Sequence, residues 1–265
     1  MKKLFFVSFM VTPSFFPLAI SLGLLDSFES LVCWMHYGAF WFFVVGFSFV
    51  FFSICMWWLD LNQEGNSGNQ SSLTVTCFRF GVIFFIISEA FLFHSIIWSL
   101  YHFLLNSSVA LGCAYPPFGF KELGFDPFGV PLFNTFLLVF SGVSVTWVHS
   151  SLRCYDRFSA IVGYIITIIL GSLFVFFQFQ EYQQSYLTIN STIFGTVFFF
   201  LTGFHGLHVC IGLSFIVVCF VRFYRDFGFS STHHVMFEAA IWYWHFVDVV
   251  WIVLYFSVYI LGQVF

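Results

Sequence analysis

Residues 233–251 read HHVMFEAAIWYWHFVDVVW. Within this apolar stretch, Glu238, His245 and Asp248 are spaced so that they lie on one face of a helix. Trp242 shares that face. Ionisable side chains at membrane depth are costly and need partners, so we expect the face to point into a helix bundle. A buried network that satisfies its own hydrogen bonds is the favoured interpretation, and metal binding by the carboxylates and the imidazole is the alternative.

The composition of the whole chain indicates an integral membrane protein. Of its 265 residues, 60% are hydrophobic and 8% are charged, whereas soluble domains carry about 25% charged residues. The net charge of −4 argues against binding of nucleic acid. The seven cysteines are scattered without a CxxC pair, which argues against a disulfide or zinc framework.

The distribution of apolar runs predicts an all-α, polytopic membrane helix bundle. A membrane-spanning helix needs about 20 mostly apolar residues. We find no soluble domain, and we interpret residues 1–265 as a single transmembrane domain. Asp26 and Glu29 lie on one face of the first candidate helix, so six spans remain the alternative to seven. The seven predicted helices cover about 14–34, 38–59, 80–105, 130–152, 158–180, 192–221 and 235–262.

The basic residues favour seven spans over six. With seven spans, seven of the eight Lys and Arg residues fall on one side of the membrane and only Lys121 falls on the other. With six spans the distribution is five against three. Because loops on the inner side of a membrane are enriched in Lys and Arg, the larger bias predicts that the N-terminus is inside and the C-terminus outside. The seven basic residues on the inner side are Lys2, Lys3, Arg79, Arg153, Arg157, Arg222 and Arg225.

Glu89 is the only Asp, Glu, Lys or Arg in the third predicted span, and it lies near the middle of the membrane. Intramembrane acids often belong to proton pathways, so one interpretation is a proton-relay group. The alternative is a neutral acid that holds a neighbouring helix by a hydrogen bond. Ser88 and His94 are the predicted partners.

His205 and His208 are three residues apart and share a helix face. A lone pair of this kind on one helix is a weak signal for haem or metal ligation, because bundle ligands usually come from facing helices. The neighbouring glycines, Gly203, Gly206 and Gly212, instead indicate close contact between helices.

Trp58 and Arg222 are predicted to lie at the same side of the membrane. Tryptophan is common at membrane interfaces, and an arginine there can hold a lipid phosphate through paired N–H donors. Extension of the Arg222 side chain to water is the alternative.

Several motifs in order along the chain carry a family resemblance. The sequence resembles cytochrome c oxidase subunit III in its mitochondrial form. The matching segments are 79–81 (RFG), 85–89 (FIISE), 130–135 (VPLFNT), 141–147 (SGVSVTW), 202–208 (TGFHGLH) and 238–251.

The resemblance implies a non-catalytic core subunit of complex IV in the mitochondrial inner membrane, with the N-terminus in the matrix and the C-terminus in the intermembrane space. In this family, a group of two helices and a group of five helices are separated by a cleft that holds phospholipid. Its members carry no haem or copper, and we expect no catalytic residue and no metal here. Haem and copper belong to partner subunits.

The resemblance also implies partners and roles. The main contact is subunit I, with subunit II and accessory subunits in the same complex. The family subunit stabilises the catalytic subunit and supports proton uptake during electron transfer from cytochrome c to oxygen. Its intramembrane carboxylate corresponds to Glu89, and its lipid head-group residues correspond to Trp58, Glu64 and Arg222. The expected buried polar network comprises His205, His208, Glu238, His245 and Asp248.

Two other function classes remain alternatives. One is a membrane redox enzyme with haem bound through His205, His208 or His245, although the chain lacks a conventional cross-helix His pair. The other is a transporter or a seven-helix receptor. A transporter is expected to show an internal repeat, and we find none in this sequence.

Overall fold

The structure, a computed structural model, describes residues 13–66, 72–105, 126–185, 188–190, 193–225 and 235–261. Its regular elements in these ranges are all helices, and seven of them are long and apolar enough to cross a membrane. The predicted all-α fold with seven spans is therefore confirmed. The helices are α1 (Phe16–Tyr37), α2 (Phe40–Asn66), α3 (Ser72–Leu105), α4 (Val130–Arg153), α5 (Arg157–Gln184), α6 (Ile193–Tyr224) and α7 (Val235–Leu254), and α7 continues as a π-helix (Tyr255–Ile260).

Two helices extend well beyond the apolar runs that predicted them. Helix α2 continues to Asn66 rather than 59, and α3 begins at Ser72 rather than 80. Backbone hydrogen bonds can continue a helix into polar sequence, whereas the apolar run marks only the part that can lie in lipid. Helix α5 likewise continues to Gln184, so that Glu181 lies in the helix and not in the predicted loop.

Local sequence explains where the helices begin and end. Pro17 and Pro131 stand in the first turns of α1 and α4, where a missing N–H removes no helical hydrogen bond. Gly38 ends α1 with φ of 73°, and its N–H donates to the carbonyl of Trp34. Such left-handed ends favour glycine because it has no Cβ.

A tight turn joins α4 to α5. Tyr155 adopts a left-handed φ of 59°, and the next residue, Asp156, caps α5. The Asp156 side chain accepts hydrogen bonds from the backbone N–H of Ser159 at 3.2 Å and from its hydroxyl. These bonds, first the one from the Ser159 hydroxyl, lower the pKa of Asp156.

The chain divides into two compact units, Met1–Phe78 and Arg79–Phe265. In the first unit, α1 packs against α2 where glycines permit close approach. A Cβ on Gly23 would lie 2.8 Å from side-chain atoms of Phe49 and Val50, and a Cβ on Gly46 would lie 2.8 Å from Asp26 Oδ2. Asp26 lies midway along α1 and is exposed.

In the second unit, α7 is the most deeply buried helix, with 56% of its span buried inside the chain. Trp244 is fully buried, and its indole lies where Cβ atoms on Gly171 of α5 and Gly212 of α6 would be 2.9 Å away. Its Nε1–H donates to the hydroxyl of Ser141 on α4 at 3.0 Å. One side chain therefore joins α7 to three other helices.

Two turns further on, Trp251 repeats this role. It is fully buried, packs edge-to-face on Phe174 at 4.8 Å between ring centroids, and donates from Nε1 to the hydroxyl of Thr135 at 3.0 Å. The π-helix follows directly, and in it Tyr255 and Tyr259 are both buried.

The close packing of Trp244 generates a test of helix packing. We expect Gly212→Ala to lower the free energy of unfolding by about 1–3 kcal/mol, because the new methyl group would overpack against the indole. The measurement is the unfolding temperature of the purified protein in detergent. Gly206→Ala on the same helix is the control, since a Cβ there meets no atom of the described chain within 4 Å. Equal stability of the two variants would contradict the packing argument.

The cap of α5 generates a second test, based on pH. Since the folded pKa of Asp156 is lowered, its contribution to stability is complete above the ordinary aspartate value of 3.8 and is lost as pH falls through the folded value. We expect amide hydrogen exchange in the first turn of α5 to accelerate in that acidic window relative to Asp156→Asn, whose neutral cap does not titrate. Parallel pH profiles for the two proteins would show that the cap is not ionised.

Candidate functional site

Glu89 and His208 connect α3 to α6. Glu89 Oε2 lies 3.0 Å from His208 Nε2, with side-chain exposures of 21% and 7%. His208 Nδ1 lies 2.7 Å from the carbonyl oxygen of Phe204 on its own helix. A carbonyl can only accept, so Nδ1 carries a proton and donates it.

This geometry defines what the Glu89–His208 pair can do. With Nδ1 protonated, the contact at Nε2 contains one shared proton. Either a neutral Glu89 donates to a neutral His208, or a protonated His208 donates to the Glu89 carboxylate. The pair can therefore move a proton across 3.0 Å without losing its hydrogen bond.

Aromatic rings surround the imidazole of this pair. Phe93 packs edge-to-face on His208 at 4.9 Å, and Tyr243 stacks on it at 6.3 Å with 17° between the ring planes. Phe85 stacks in turn on Tyr243 at 6.1 Å. These contacts limit access of water to the imidazole and fix its orientation.

The partners predicted for Glu89 differ from the one observed. The Ser88 hydroxyl donates to the carbonyl of Phe85 on its own helix, and His94 lies against Trp98. Sequence reasoning singled out both Glu89 and His208 but did not pair them. They are 119 residues apart, and nothing in the sequence indicates that α3 and α6 are neighbours where these residues lie.

His205 is separate from this pair, although it is only three residues from His208. It is buried, and its Nε2 lies 3.2 Å from the carbonyl oxygen of Val247. Its ring lies near Phe174 and Trp251, with centroids 5.7 and 5.1 Å away. Since the carbonyl accepts, His205 donates from Nε2.

The two imidazoles therefore serve different helix contacts. His205 binds a backbone carbonyl of α7, whereas His208 binds Glu89 of α3. In the part of the chain that the structure describes, no group of three or more His, Cys, Asp and Glu residues is placed to hold a metal ion. Of the glycines that predicted close packing here, Gly212 lies against Trp244, while a Cβ on Gly203 or Gly206 would meet no described atom within 4 Å.

Glu238 pairs with Arg79 near the start of α7. Its Oε2 lies 2.9 Å from Nη2 and 3.1 Å from Nε of the guanidinium. The contact joins the first turns of α7 to α3, and the side chains are 20% and 43% exposed respectively. Partial exposure makes this a modest contribution to stability.

His245 and Asp248 form a third contact, on the side of α7 that faces α4. Asp248 Oδ2 lies 3.7 Å from His245 Nδ1, and the Thr146 hydroxyl lies 3.2 Å from His245 Nε2. A Cβ on Gly142 would lie 2.6 Å from Asp248 Oδ2, so glycine provides the space for the carboxyl. The side chain of His245 is 43% exposed, so His245 does not belong to the buried core.

The five residues expected in a single buried network lie in four separate contacts, because His245 and Asp248 share one. On the face of α7 that carries Glu238, His245 and Asp248, Asp248 is buried and the other two are partly exposed. The most buried row of α7 is a neighbouring one. The physical reason is that the large tryptophans, rather than the ionisable groups, fill the centre. That buried row comprises Phe237, Ala240, Trp244, Val247 and Trp251.

The residues expected to bind a lipid head group lie in different units of the chain. Trp58 is half-buried on α2. Glu64 lies near the end of the same helix, and the structure describes its backbone but not its side chain. Arg222 lies near the end of α6 and donates from Nη1 to Met236 Sδ at 2.8 Å.

A further polar cluster was missed in the sequence. Asn134, Gln178 and Glu181 are all buried, and they meet at the opposite end of the second unit from Arg79. The predicted fifth span ended at residue 180, so Glu181 was placed just outside the membrane. A single amide side chain in an apolar helix, such as Asn134 or Gln178, does not by itself indicate a polar cluster. The spacing of Gln178 and Glu181, one helical turn apart, was the available clue.

Comparison with known proteins agrees with the motifs. The family profile for cytochrome c oxidase subunit III matches residues 6–263. Cytochrome c oxidase subunit 3 of Osphranter robustus is 43% identical over 255 residues, which are 96% of this chain and 97% of that one. The Anopheles quadrimaculatus protein of the same name is 41% identical over 248 residues, 93% and 94% of the two chains. With its seven apolar helices and these near full-length matches, the chain belongs to the cytochrome c oxidase subunit III family.

Proposed function

We propose that this chain is a non-catalytic core membrane subunit of complex IV, which stabilises the catalytic subunit and supports proton uptake during electron transfer from cytochrome c to oxygen. Family membership makes it a subunit of cytochrome c oxidase. In this proposal haem and copper belong to partner subunits, with subunit I as the main contact and subunit II and accessory subunits nearby.

The Glu89–His208 hydrogen bond is the observation that carries the proton role. It places a carboxyl and an imidazole 3.0 Å apart inside an apolar helix bundle. Both protonation arrangements keep that bond, so transfer needs no rearrangement of the helices.

The hydrogen bonds that His205 and His208 already make argue against the alternative of a haem site in this chain. Both ring nitrogens of His208 contact oxygen atoms, at 2.7 and 3.0 Å. His205 uses Nε2 for the carbonyl of Val247. Ligation of a haem iron by His208 would have to break one of these hydrogen bonds, which is costly where water cannot replace it.

The basic residues support an orientation in the mitochondrial inner membrane. The family and the seven spans fit a multi-pass mitochondrial membrane protein. In the second unit, Arg157 donates to the carbonyl of Tyr224, and Arg79 pairs with Glu238, so these arginines share one end of the helices. By the positive-inside rule that end faces the matrix, as does the N-terminus, and the C-terminus lies in the intermembrane space.

The lipid-binding role rests on Arg222, Trp58 and Glu64. In the described part of the chain Arg222 contacts a neutral sulfur atom, and its guanidinium charge can attract a phosphate group. Trp58 lies near the end of its span, where indole rings commonly meet the head-group layer. Bound structural phospholipid is the proposed ligand of this region.

The proton role is tested with Glu89→Gln. The amide can still donate to His208 Nε2, so we expect assembly of the oxidase complex to remain intact. Because an amide cannot exchange the shared proton, we expect proton uptake to slow by less than about tenfold, which corresponds to about 1.4 kcal/mol. The measurement is the pH dependence of turnover, together with proton uptake followed by a pH indicator. Ser88→Ala is the control, and wild-type pH dependence and turnover stability in Glu89→Gln would refute the role.

A double substitution tests whether the two residues act as a pair. Loss of either member removes the shared proton, so we expect Glu89→Gln, His208→Gln and the double variant to slow proton uptake equally. Residues that act independently give multiplicative losses instead. The same uptake assay measures all three variants, and additive free-energy losses would contradict a paired function.

A further inference from the structure

A second buried polar site lies at the end of the second unit opposite Arg79, and the proposed proton role does not use it. Asn134 on α4 contacts Gln178 on α5, with Nδ2 3.5 Å from Oε1. Glu181 lies one turn beyond Gln178. The hydroxyl of Tyr259, in the π-helix, interacts with both Gln178 and Glu181. Three helical segments therefore bring polar side chains together.

The side chains of this site are buried but incompletely bonded. Relative exposures are 0% for Asn134, 5% for Gln178 and 7% for Glu181. Among the described residues, no hydrogen bond of standard geometry reaches Asn134 Oδ1, Gln178 Nε2 or either carboxyl oxygen of Glu181. Buried polar atoms nearly always have a partner in the protein or in ordered water, so four such atoms in one place need an explanation.

We propose that Asn134, Gln178 and Glu181 together bind an internal water molecule. A water can donate to Asn134 Oδ1 and to a Glu181 oxygen while it accepts from Gln178 Nε2. Buried waters typically make about three hydrogen bonds of this kind. The site offers amide N–H donors beside its oxygen acceptors, which fits water and does not fit a cation, because the amide hydrogens would oppose a positive charge.

The π-helix explains why the site forms at this position. A π-helical turn alters the direction of the side chains that follow it, and such turns frequently occur at functional sites. Here it buries Tyr255 and Tyr259 together. Tyr255 donates to the carbonyl of Pro127 at 3.2 Å, which fixes the end of α7 beside the start of α4. The bound water then links α4 to α5 through hydrogen bonds, and Tyr259 brings the end of α7 to the same site.

The experiment is electron cryomicroscopy of the assembled oxidase complex, at a resolution that shows ordered water. We expect a solvent peak within hydrogen-bonding distance of Glu181 and of at least one of the amides of Asn134 and Gln178. We expect Glu181→Gln to keep the peak and Glu181→Met to lose it. Direct bonds between the side chains with no peak between them would overturn the proposal. A peak bound by oxygen atoms alone that responds to exchange of Na⁺ for K⁺ would also overturn it, in favour of a cation.

Stability gives an independent measurement. We expect Glu181→Met to shorten the half-life of the complex in detergent by about fivefold or more, because the two amides lose a shared partner. Glu181→Gln is expected to stay within about twofold of wild type, since it can still bond the water. Gln183→Met, on the exposed side of the same helix, is the control. A half-life of Glu181→Met equal to that of Gln183→Met would contradict a structural water. These readouts do not depend on proton uptake, so they remain informative if Glu89 has no proton role.

Discussion

The packing of Trp244 against glycine backbone is the constraint on which the second unit depends. Lipid tails are as apolar as leucine, so burial alone does not drive helices together in a membrane, and close packing must do so. The indole occupies space that side chains at Gly171 and Gly212 would fill, and it reaches Ser141 with its N–H. The side chain thus sets the spacing of four helices. The positions of the ionisable residues on α7 follow from it, because the centre is already filled.

Polar contacts attach α3 to this core at three levels. Only 11% of its span is buried inside the chain, compared with 56% for α7. Arg79 bonds Glu238, Glu89 bonds His208, and the Tyr101 hydroxyl bonds that of Ser257 at 2.9 Å. Hydrogen bonds between helices contribute modestly on average in membranes. Because the three contacts are spread along α3, they nevertheless fix its position along its own axis and its rotation about that axis.

Sequence reasoning predicted the helices better than the contacts between them. The number of spans followed from hydropathy and from the distribution of basic residues, because each apolar run is a local property. Glu89 was identified since a carboxyl in an apolar span is conspicuous. Its partner, His208, required knowledge of which helices are neighbours, which one sequence does not contain. Gln178 and Glu181 were missed for a related reason: their significance depends on Asn134, 44 residues away from Gln178.

The π-helix has a consequence for how this family can vary in length. A π-helical turn holds about one residue more than an α-helical turn, so removing one residue from Tyr255–Ile260 would restore ordinary α-helical winding and leave the neighbouring turns facing nearly the same way. A single-residue difference in length is therefore expected to be absorbed within this segment. Elsewhere in α7 the same change would rotate the rest of the helix by about 100°, so length variation is expected to collect in the π-helix and in the connections outside the membrane.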